Sequence, residues 1–395
     1  MNEVFSSLMV LRSLATDLSH DAGHMKITIY SYDNIHNPRC GGGGAYRLVM
    51  AHRLLAGRHS IIVFTGAYPG SRPYDDAGVR FVPLGFGKSY LMSRITFSLI
   101  ANIHSLFAKT DICVNDFSAY APVFTFLFRP KKTVVQFHHF MGDIPLKKYG
   151  IFGILSMMAE RVALRHARYM TTHGDGVADI ITRRYPGKPM VRPTYIGFDR
   201  ELLSENMADD RYVLCFGRID VQMKGLDLAI AAFEKIAGRF PGYRLVFAGR
   251  GADDQISWMK NRIADSPVRE RIDLRLSVST QEKAALLRTA TFVCMPSRFE
   301  GWCIVAIEAA AASKATLGSD IPGLRDTIQD GKTGLLVPSR DADALARGMA
   351  TLLEDRDLRV RLGRAGFAWA RNFTWEKVAQ NHEECYRLVL EQSMQ

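Results

Sequence analysis

The stretch TFVCMPSRFEGWCIVAIEAAAAS, residues Thr291–Ser313, decides which fold the sequence predicts. It opens on a short apolar run that ends at Pro296, and such a run predicts a buried strand of a parallel sheet. After a polar turn, residues 303–312 are apolar or good helix formers with a single glutamate among them, which predicts a helix. The stretch is therefore predicted to be a strand–turn–helix unit of an α/β fold.

Two carboxylates flank this turn and the start of the helix: Glu300 and, eight positions later, Glu308. The first turn of a helix offers unpaired backbone N–H groups to an anion. The carboxylate of Glu308 lies in an apolar helix and needs a partner, because an unpaired buried charge is very costly. A ligand that carries hydroxyls and phosphates would satisfy both the N–H groups and the carboxylates.

The order strand, Pro-Ser, Glu, seven residues and Glu-Ala resembles the signature of the retaining nucleotide-sugar glycosyltransferases of family 4, the group 1 type. The resemblance implies that Glu300 contacts hydroxyls of the donor sugar, together with backbone N–H groups near Gly301, Trp302 and Cys303. It implies that Glu308 contacts the nucleotide ribose. This sequence departs from the usual Glu-Gly-Phe-Gly, which here reads Glu-Gly-Trp-Cys. The alternative is a strand–turn–helix with two incidental glutamates.

A second match lies earlier in the chain, at Phe216–Gly225, where a predicted strand ends in Gly-Arg and a short loop leads to Lys-Gly. The resemblance implies that Arg218 and Lys224 bind the donor diphosphate. Two such cations suit a leaving pyrophosphate, because they neutralise the charge that develops as the bond breaks, without a metal ion. The alternative is two solvated charges on a loop.

The N-terminal half matches the same family more loosely. Four glycines follow the first predicted strand, an arrangement that lets backbone approach a phosphate, and we take Gly42 and Gly43 as the contacts. Another predicted strand, 133–137, ends at His138. The resemblance places a histidine near the anomeric carbon of the donor, and we favour His138 over His139 because adjacent side chains on an extended segment point opposite ways. A structural histidine is the alternative.

Strands and helices alternate along the chain, which predicts parallel sheets covered on both faces. The predicted strands are 27–31, 60–65, 79–83, 112–114, 133–137, 169–172, 212–216, 243–248, 272–276, 292–295, 315–317 and 334–337. The predicted helices are 45–56, 90–107, 119–128, 174–185, 226–239, 253–263, 281–289, 303–312, 322–329, 341–354, 357–372 and 374–390.

The chain has 395 residues, which is too long for one ordinary core. The resemblance implies the GT-B fold, an α/β architecture of two Rossmann-like domains with parallel sheets facing across a cleft. We expect an acceptor domain at 25–193, a donor domain at 194–373 after a proline-rich linker, and a C-terminal helix at 374–395 that packs back toward the first domain. Residues 1–24 are interpreted as an extension whose place in the native protein stays open.

Net charge is +11, and all of it lies in the N-terminal half: residues 1–195 hold 23 Lys and Arg against 12 Asp and Glu, whereas residues 196–395 hold 28 of each kind. A basic half suits an anionic partner, for which we favour an anionic membrane surface over nucleic acid, and a basic face without a partner explains it equally well. The segment 145–168 mixes cations with apolar residues and is the candidate contact, with an ordinary amphipathic helix as the alternative.

No cofactor or metal site is expected from the sequence. The six cysteines are scattered and read as buried residues of a reducing compartment. The longest apolar segments without Asp, Glu, Lys or Arg have 14 and 12 residues, short of the ~20 that span a bilayer. The expected location is the cytoplasm, and a peripheral position at the inner face of the membrane stays open.

The resemblance implies transfer of a hexosyl group, with retention and without a metal, from a nucleoside-diphosphate sugar to a hydroxyl of a sugar, lipid-linked or glycan acceptor. Glycoconjugate synthesis is the expected setting. The alternatives are a nucleotide-sugar epimerase or phosphorylase of the same architecture, an inverting transferase, and a non-catalytic module that binds nucleotide sugars. The sequence does not identify the base, the sugar or the acceptor.

Overall fold

A computed structural model of the chain describes residues 23–37, 42–142, 146 and 150–394. The predicted extension, residues 1–24, therefore lies almost wholly outside the described residues. The chain divides into two compact units, residues 1–195 with 375–395, and residues 196–374. The boundaries at 195/196 and 374/375 lie within two residues of the predicted ones at 193/194 and 373/374.

The first unit is built on an eight-stranded sheet in the order β3-β4-β2-β1-β5-β6-β7-β8, in which every neighbouring pair is parallel except β3 with β4. Strand β1 is central because it carries Ile27 and Ile29, which are fully buried. The strands are β1 (Lys26–Ser31), β2 (Ser60–Gly66), β3 (Tyr74–Asp76), β4 (Val79–Leu84), β5 (Ile112–Asp116), β6 (Thr133–Phe137), β7 (Tyr169–Thr172) and β8 (Met190–Pro193).

Alternate residues of β1 point to two separate cores, as the pleat of a strand requires. Ile27 and Ile29 join the core on one face of the sheet, and Tyr30 joins the core on the other with Phe64 and Phe97. The helices of this part of the chain are α1 (Gly42–Leu55), α2 (Tyr90–Phe107), α3 (Thr125–Phe128), α4 (Gly153–His166) and α5 (Asp175–Arg184).

The second unit has a six-stranded, fully parallel sheet in the order β11-β10-β9-β12-β13-β14. All six predicted strands are confirmed. They are β9 (Tyr212–Phe216), β10 (Arg244–Gly249), β11 (Ile272–Leu276), β12 (Phe292–Met295), β13 (Thr316–Ser319) and β14 (Gly334–Val337). Strands β9 and β12 are neighbours, so the sheet brings together the ends of two strands that are about 80 residues apart in sequence.

The helices of the second unit connect these strands and cover the sheet. They are α6 (Val221–Lys224), α7 (Leu226–Ile236), α8 (Asp253–Ala264), α9 (Thr280–Thr289), α10 (Ile304–Ala311), α11 (Pro322–Arg325), α12 (Ala342–Glu354) and α13 (Arg356–Ala370). The last helix, α14 (Trp375–Met394), belongs to the first unit, where Ala379 and Tyr386 join the core that contains Ile27 and Ile29.

Three local predictions were wrong. The helix predicted at 119–128 is limited to α3, because Pro122 disfavours helical backbone at the residue before it. The proline-rich segment interpreted as a linker contains β8, which pairs with β7 at the edge of the sheet, where a proline is tolerated. The glycine loop is shorter than predicted, because α1 already begins at Gly42.

Helix α2 has an unusual burial pattern. Its inward residues are mostly small or polar, with Ser93, Thr96, Ala101 and Ser105 among them and Phe97 as the large apolar one. Every exposed position of the helix holds a large apolar residue. A surface helix of a globular protein normally shows the opposite arrangement.

Candidate active site

Two predicted site residues from distant parts of the sequence meet in the second unit. The Lys224 ammonium donates to Oε1 of Glu300 at 2.5 Å, and the hydroxyl of the buried Ser297 donates to the same oxygen at 2.9 Å. Both charged side chains are largely buried, at 19% and 8% exposure. The pairing compensates two charges that would otherwise be costly to remove from water.

The backbone between α6 and α7 makes this contact possible. Gly225 has φ +63°, and a Cβ atom there would lie 2.0 Å from the carbonyl oxygen of Pro296. Only glycine therefore lets this segment pack directly against the turn that carries Glu300. A bidentate ion pair between Arg298 and Asp227, at 2.6 and 2.8 Å, joins the same two segments a second time.

The turn at 300–303 is held from its other side by α11. A Cβ atom on Gly323 would lie 2.3 Å from the Glu300 carbonyl oxygen, so the two backbones touch. The Trp302 ring is buried and packs edge-on against Phe373. Burial, with a smaller contribution from the Glu300 charge, raises the pKa of the Cys303 thiol. The buried side chains of Trp302 and Cys303 thus anchor the turn. Only their backbone N–H groups are left for the predicted contact with the donor sugar.

Glu308 is buried in α10, and its partner is a side chain that the sequence did not suggest. The Lys283 ammonium of α9 donates to Oε1 of Glu308 and lies 5.6 Å from the ring centroid of Phe216, the last residue of β9. Phe216 also lines a small pocket together with Arg218 and Lys224. Both lysine–glutamate pairs therefore lie near the end of β9.

Arg218 differs from these buried groups, because its side chain is 66% exposed. Its nearest described carboxylate partner is Asp220, at 3.9 Å from Nε. Asp220 itself caps α6, since its carboxylate accepts from the Met223 N–H at 3.0 Å. Arg218 is thus a solvent-facing cation beside the pocket, whereas Lys224 is a buried and paired one.

In the first unit, His138 is part of a hydrogen-bonded chain across four strand ends. Its Nε2 lies 2.6 Å from Asp116 Oδ1, and its Nδ1 lies 2.5 Å from Nε2 of His173. Ser31 donates to the other oxygen of Asp116 at 2.6 Å, and Gln136 Nε2 lies 3.4 Å from Nδ1 of His173. Each member therefore has a partner on the next strand of the sheet.

The carboxylate of Asp116 determines how this hydrogen-bonded group of side chains is oriented. Burial alone would raise the pKa of Asp116, but the charge and hydrogen bond of His138 and the hydroxyl of Ser31 outweigh burial and hold that pKa below its usual value. Nε2 of His138 faces this carboxylate, and Nδ1 faces His173. Asp116 thereby fixes the ring orientation of His138.

His138 and His139 both line a cavity of about 310 Å³ in the first unit, with Asp33, Tyr120 and Glu160 at other points of its wall. His139 is the more exposed of the two histidines. Gly42 and Gly43 occupy the first turn of α1. The structure thus places His138 at the carboxyl end of β6, as predicted. All of the predicted site residues lie within the described part of the chain.

The second unit is similar to a known protein family. Residues 202–369 match the family model described as glycosyl transferases group 1. This part of the chain, less than half of its length, is therefore similar to the glycosyl transferases group 1 family. The matched range contains β9 to β14 and both lysine–glutamate pairs.

Relatives of known activity match about half of the chain. A phosphatidyl-myo-inositol mannosyltransferase of Mycobacterium tuberculosis is 34% identical over 182 residues, 45% of this chain and 47% of the relative. A GDP-mannose-dependent alpha-(1-6)-phosphatidylinositol monomannoside mannosyltransferase of the same organism is 33% identical over 175 residues, 42% of this chain and 45% of the relative. The chain thus covers less than half the length of each of these relatives.

The fold similarity extends over nearly the whole chain. A sucrose-phosphate synthase from Thermosynechococcus elongatus superposes with a TM-score of 0.76 and 20% identity, covering 93% of this chain and 99% of that one. The predicted α/β fold of GT-B type is confirmed.

Sequence reasoning missed Asp116, His173, Lys283 and Ser297. His173 directly follows the strand predicted at 169–172, the position at which ligand-facing residues of a parallel sheet collect, so position alone could have indicated it. Asp116 ends β5, but the strand predicted at 112–114 stops two residues short of it. Lys283 had no such signal, because it lies within a helix and meets Glu308 only through tertiary packing.

Proposed function

We propose that the protein is a retaining glycosyltransferase that moves a hexosyl group from a nucleoside-diphosphate sugar to an acceptor hydroxyl. The observation that carries the proposal is the 2.5 Å contact between Lys224 and Glu300, beside a pocket that Arg218 also lines. These residues come from two motifs that are separated in sequence, and they meet at neighbouring strand ends within the range that matches the group 1 family model.

The proposed roles follow from charge and exposure. Arg218 and Lys224 bind the two phosphates, because a cation at each phosphate offsets the charge that a departing diphosphate gains. Glu300 and the backbone of Gly301 to Cys303 hold the sugar. Glu308 binds the ribose, and Lys283 holds its carboxylate in position. Gly42 and Gly43 bring the backbone of the first unit to the donor.

His138 is proposed to contact the sugar near its anomeric carbon, supported in its orientation by Asp116. No enzymic nucleophile is assigned: the leaving phosphate assists the incoming hydroxyl on the same face, which gives retention. Because Arg218 and Lys224 provide the positive charge, we propose that transfer needs no metal ion or other cofactor. Turnover that is lost in excess EDTA and returns with manganese would contradict this part of the proposal.

The acceptor is proposed to be a glycolipid or another lipid-linked glycan, because the two relatives named above act on phosphatidylinositol or its mannoside. Mannose is the first sugar to test, for the same reason. A lipid acceptor places the protein at a membrane surface, and we propose peripheral attachment on the cytoplasmic side through the basic first unit. In the described part of the chain, no helix is long and apolar enough to span a bilayer.

The experiment is a transfer assay with GDP-mannose and UDP-glucose, with phosphatidylinositol in detergent as acceptor and EDTA present. We expect a glycolipid product whose proton NMR spectrum shows the anomeric configuration of the donor. Donor consumption without an acceptor would favour an epimerase or hydrolase. An inverted linkage would contradict retention, and the absence of any turnover would favour a binding module.

A further inference from the structure

The outer face of α2 is a continuous apolar surface. Leu91, Ile95, Leu99, Ile103 and Leu106 are all between 45% and 65% exposed. At about 100° per residue they fall within an arc of roughly 120° that runs the length of the helix. Exposed apolar residues are usually scattered, and a continuous stripe of this kind marks a contact surface.

The apolar surface continues onto the segment packed beside the helix. Arg129 donates from Nε to the Ser105 carbonyl at 2.6 Å, which fixes the end of α3 next to the end of α2. Leu127 and Phe128 of α3 are 45% and 49% exposed, and Phe107 at the end of α2 is 77% exposed. This surface, α2 with residues 127 and 128, is called here the α2 face.

The charges that lie near α2 in the sequence are almost all positive. Between residues 78 and 142 the sequence has seven Lys and Arg and only two acidic residues, Asp111 and Asp116. Asp111 accepts from the Lys26 N–H at 2.8 Å, and Asp116 is buried beside His138. The cations are Arg80, Lys88, Arg94, Lys109, Arg129, Lys131 and Lys132. One of them, Arg80, pairs with Asp75 just outside this range.

This charge distinguishes between the two simplest occupants of the α2 face. A second copy of the chain would bring the same cations together across a symmetric interface, because a two-fold contact pairs each patch with itself. The surface of an anionic bilayer instead offers negative headgroups to the cations and acyl chains to the apolar stripe. Exposed apolar residues of α2, with Lys88, Arg94 and Lys109 in or directly beside the helix and no acidic residue between them in the sequence, are complementary to such a bilayer.

We propose that the α2 face is the membrane-binding surface of the protein and that α2 lies in the plane of an anionic bilayer with its apolar stripe among the acyl chains. The reason for such binding, access to a lipid acceptor, rests on the proposed function, whereas the surface itself is inferred from α2. It differs from the sequence-based expectation, which placed the contact in the segment 145–168.

The experiment is co-sedimentation of the full chain with vesicles of equal parts phosphatidylglycerol and phosphatidylcholine. The test variant is Leu99→Glu/Ile103→Glu, at two exposed positions where substitution leaves the core intact. The matched control is Trp258→Glu, an exposed apolar position of the second unit. We expect the test variant to lower the partition coefficient by on the order of a hundredfold and the control to leave it unchanged. Wild-type binding should also weaken as salt rises, because the Debye length is only ~8 Å at physiological ionic strength.

Three outcomes would overturn the proposal. The first is vesicle binding that the test variant leaves unchanged, and the second is wild-type binding that is equally strong on pure phosphatidylcholine. The third is loss of binding only in Ile151→Glu/Leu155→Glu, which alters two exposed residues just before and within α4. A wild-type dimer that the test variant dissociates without lipid would favour a second copy instead. Nucleoside diphosphate binding, measured in parallel, separates the two proposals: a variant that loses vesicles and keeps the nucleotide leaves the proposed function standing.

Discussion

At the scale of single residues, Glu300 and Glu308 are both buried carboxylates paired with a lysine, yet they are proposed to contact different parts of the donor. The ribose is unchanged during the reaction, so a contact from Glu308 is uniform binding and its loss mainly raises KM. The sugar ring gains positive charge as its bond breaks, so a contact from Glu300 is stronger in the transition state.

We therefore expect Glu300→Gln to lower kcat by more than Glu308→Gln does, while inhibition by the nucleoside diphosphate stays near normal. Glu308→Gln should weaken that inhibition. Steady-state kinetics and diphosphate inhibition of both variants measure this difference. The reverse pattern, with Glu308 governing kcat and Glu300 governing nucleotide affinity, would mean that the donor is oriented the other way round.

Asp116 provides a second prediction at this scale. Asp116→Asn removes the charge that holds the His138 ring, and misplacement by about 1 Å can cost on the order of a hundredfold in rate. We expect kcat to fall while diphosphate binding persists. Ser31→Ala, which keeps the Asp116 charge and removes the bond to its other oxygen, is the control and should have the smaller effect. Wild-type kcat in Asp116→Asn would show that the ring needs no such support.

At the scale of elements, α1 and α14 are joined by buried histidines. Nε2 of His52 lies 2.9 Å from the Tyr386 hydroxyl, which in turn lies 3.3 Å from Nδ1 of His382. Burial lowers the pKa of His52 to about 4 and that of His382 well below its usual value. Both rings are therefore neutral in the folded protein at neutral pH.

The lowered pKa of His52 predicts a loss of stability in acid. Below pH ~6.5 the unfolded chain takes up a proton on this histidine and the folded chain does not, so its contribution falls by up to about 1.4 kcal/mol per pH unit until the pH approaches the folded pKa of about 4. Urea unfolding at pH 7 and pH 5 should show a smaller difference in His52→Gln than in the wild type. His166→Gln, at an exposed position of α4, is the control, and an equal pH dependence in all three proteins would contradict the assignment.

The elements also show how far the sequence could predict the fold. Strands such as β9 and β12 were predictable because each is a short apolar run bounded by turn residues, which is the pattern of a strand buried on both faces. Strand β8 was not, because Pro189 and Pro193 suggested a linker, whereas pairing with β7 at the sheet edge is a tertiary property. The stripe on α2 predicted a helix correctly, but the sequence does not say which face of an apolar helix is inward.

The candidate site also contains residues that sequence motifs indicate and residues that depend on tertiary packing. Lys224 and Glu300 were predictable from their motifs, and Glu308 was correctly expected to need a partner. That the partner is Lys283 could not be predicted, because it depends on how α9 packs beside α10. The chain of Asp116, His138 and His173 depends on the strand order β5-β6-β7, which brings their strand ends side by side.

At the scale of the whole molecule, the two units differ in charge and in proposed task. The first carries most of the net positive charge and the α2 face, and the second carries the range that matches the group 1 family model, with its paired lysines and glutamates. Membrane binding and donor binding are thus assigned to separate units and should be separable by mutation. The central claim is that the second unit binds a nucleoside-diphosphate sugar through Arg218 and Lys224.

The most direct test is the thermal shift of the full chain with guanosine, uridine and adenosine diphosphates, for the wild type and for Arg218→Ala/Lys224→Ala. One diphosphate at 100 times its dissociation constant should stabilise the wild type by about 2.7 kcal/mol, because it binds only the folded state. The double variant should show little or no shift at that concentration, since it lacks both cations that are proposed to bind the phosphates. An equal shift in both proteins, or none with any diphosphate in the wild type, would contradict the account.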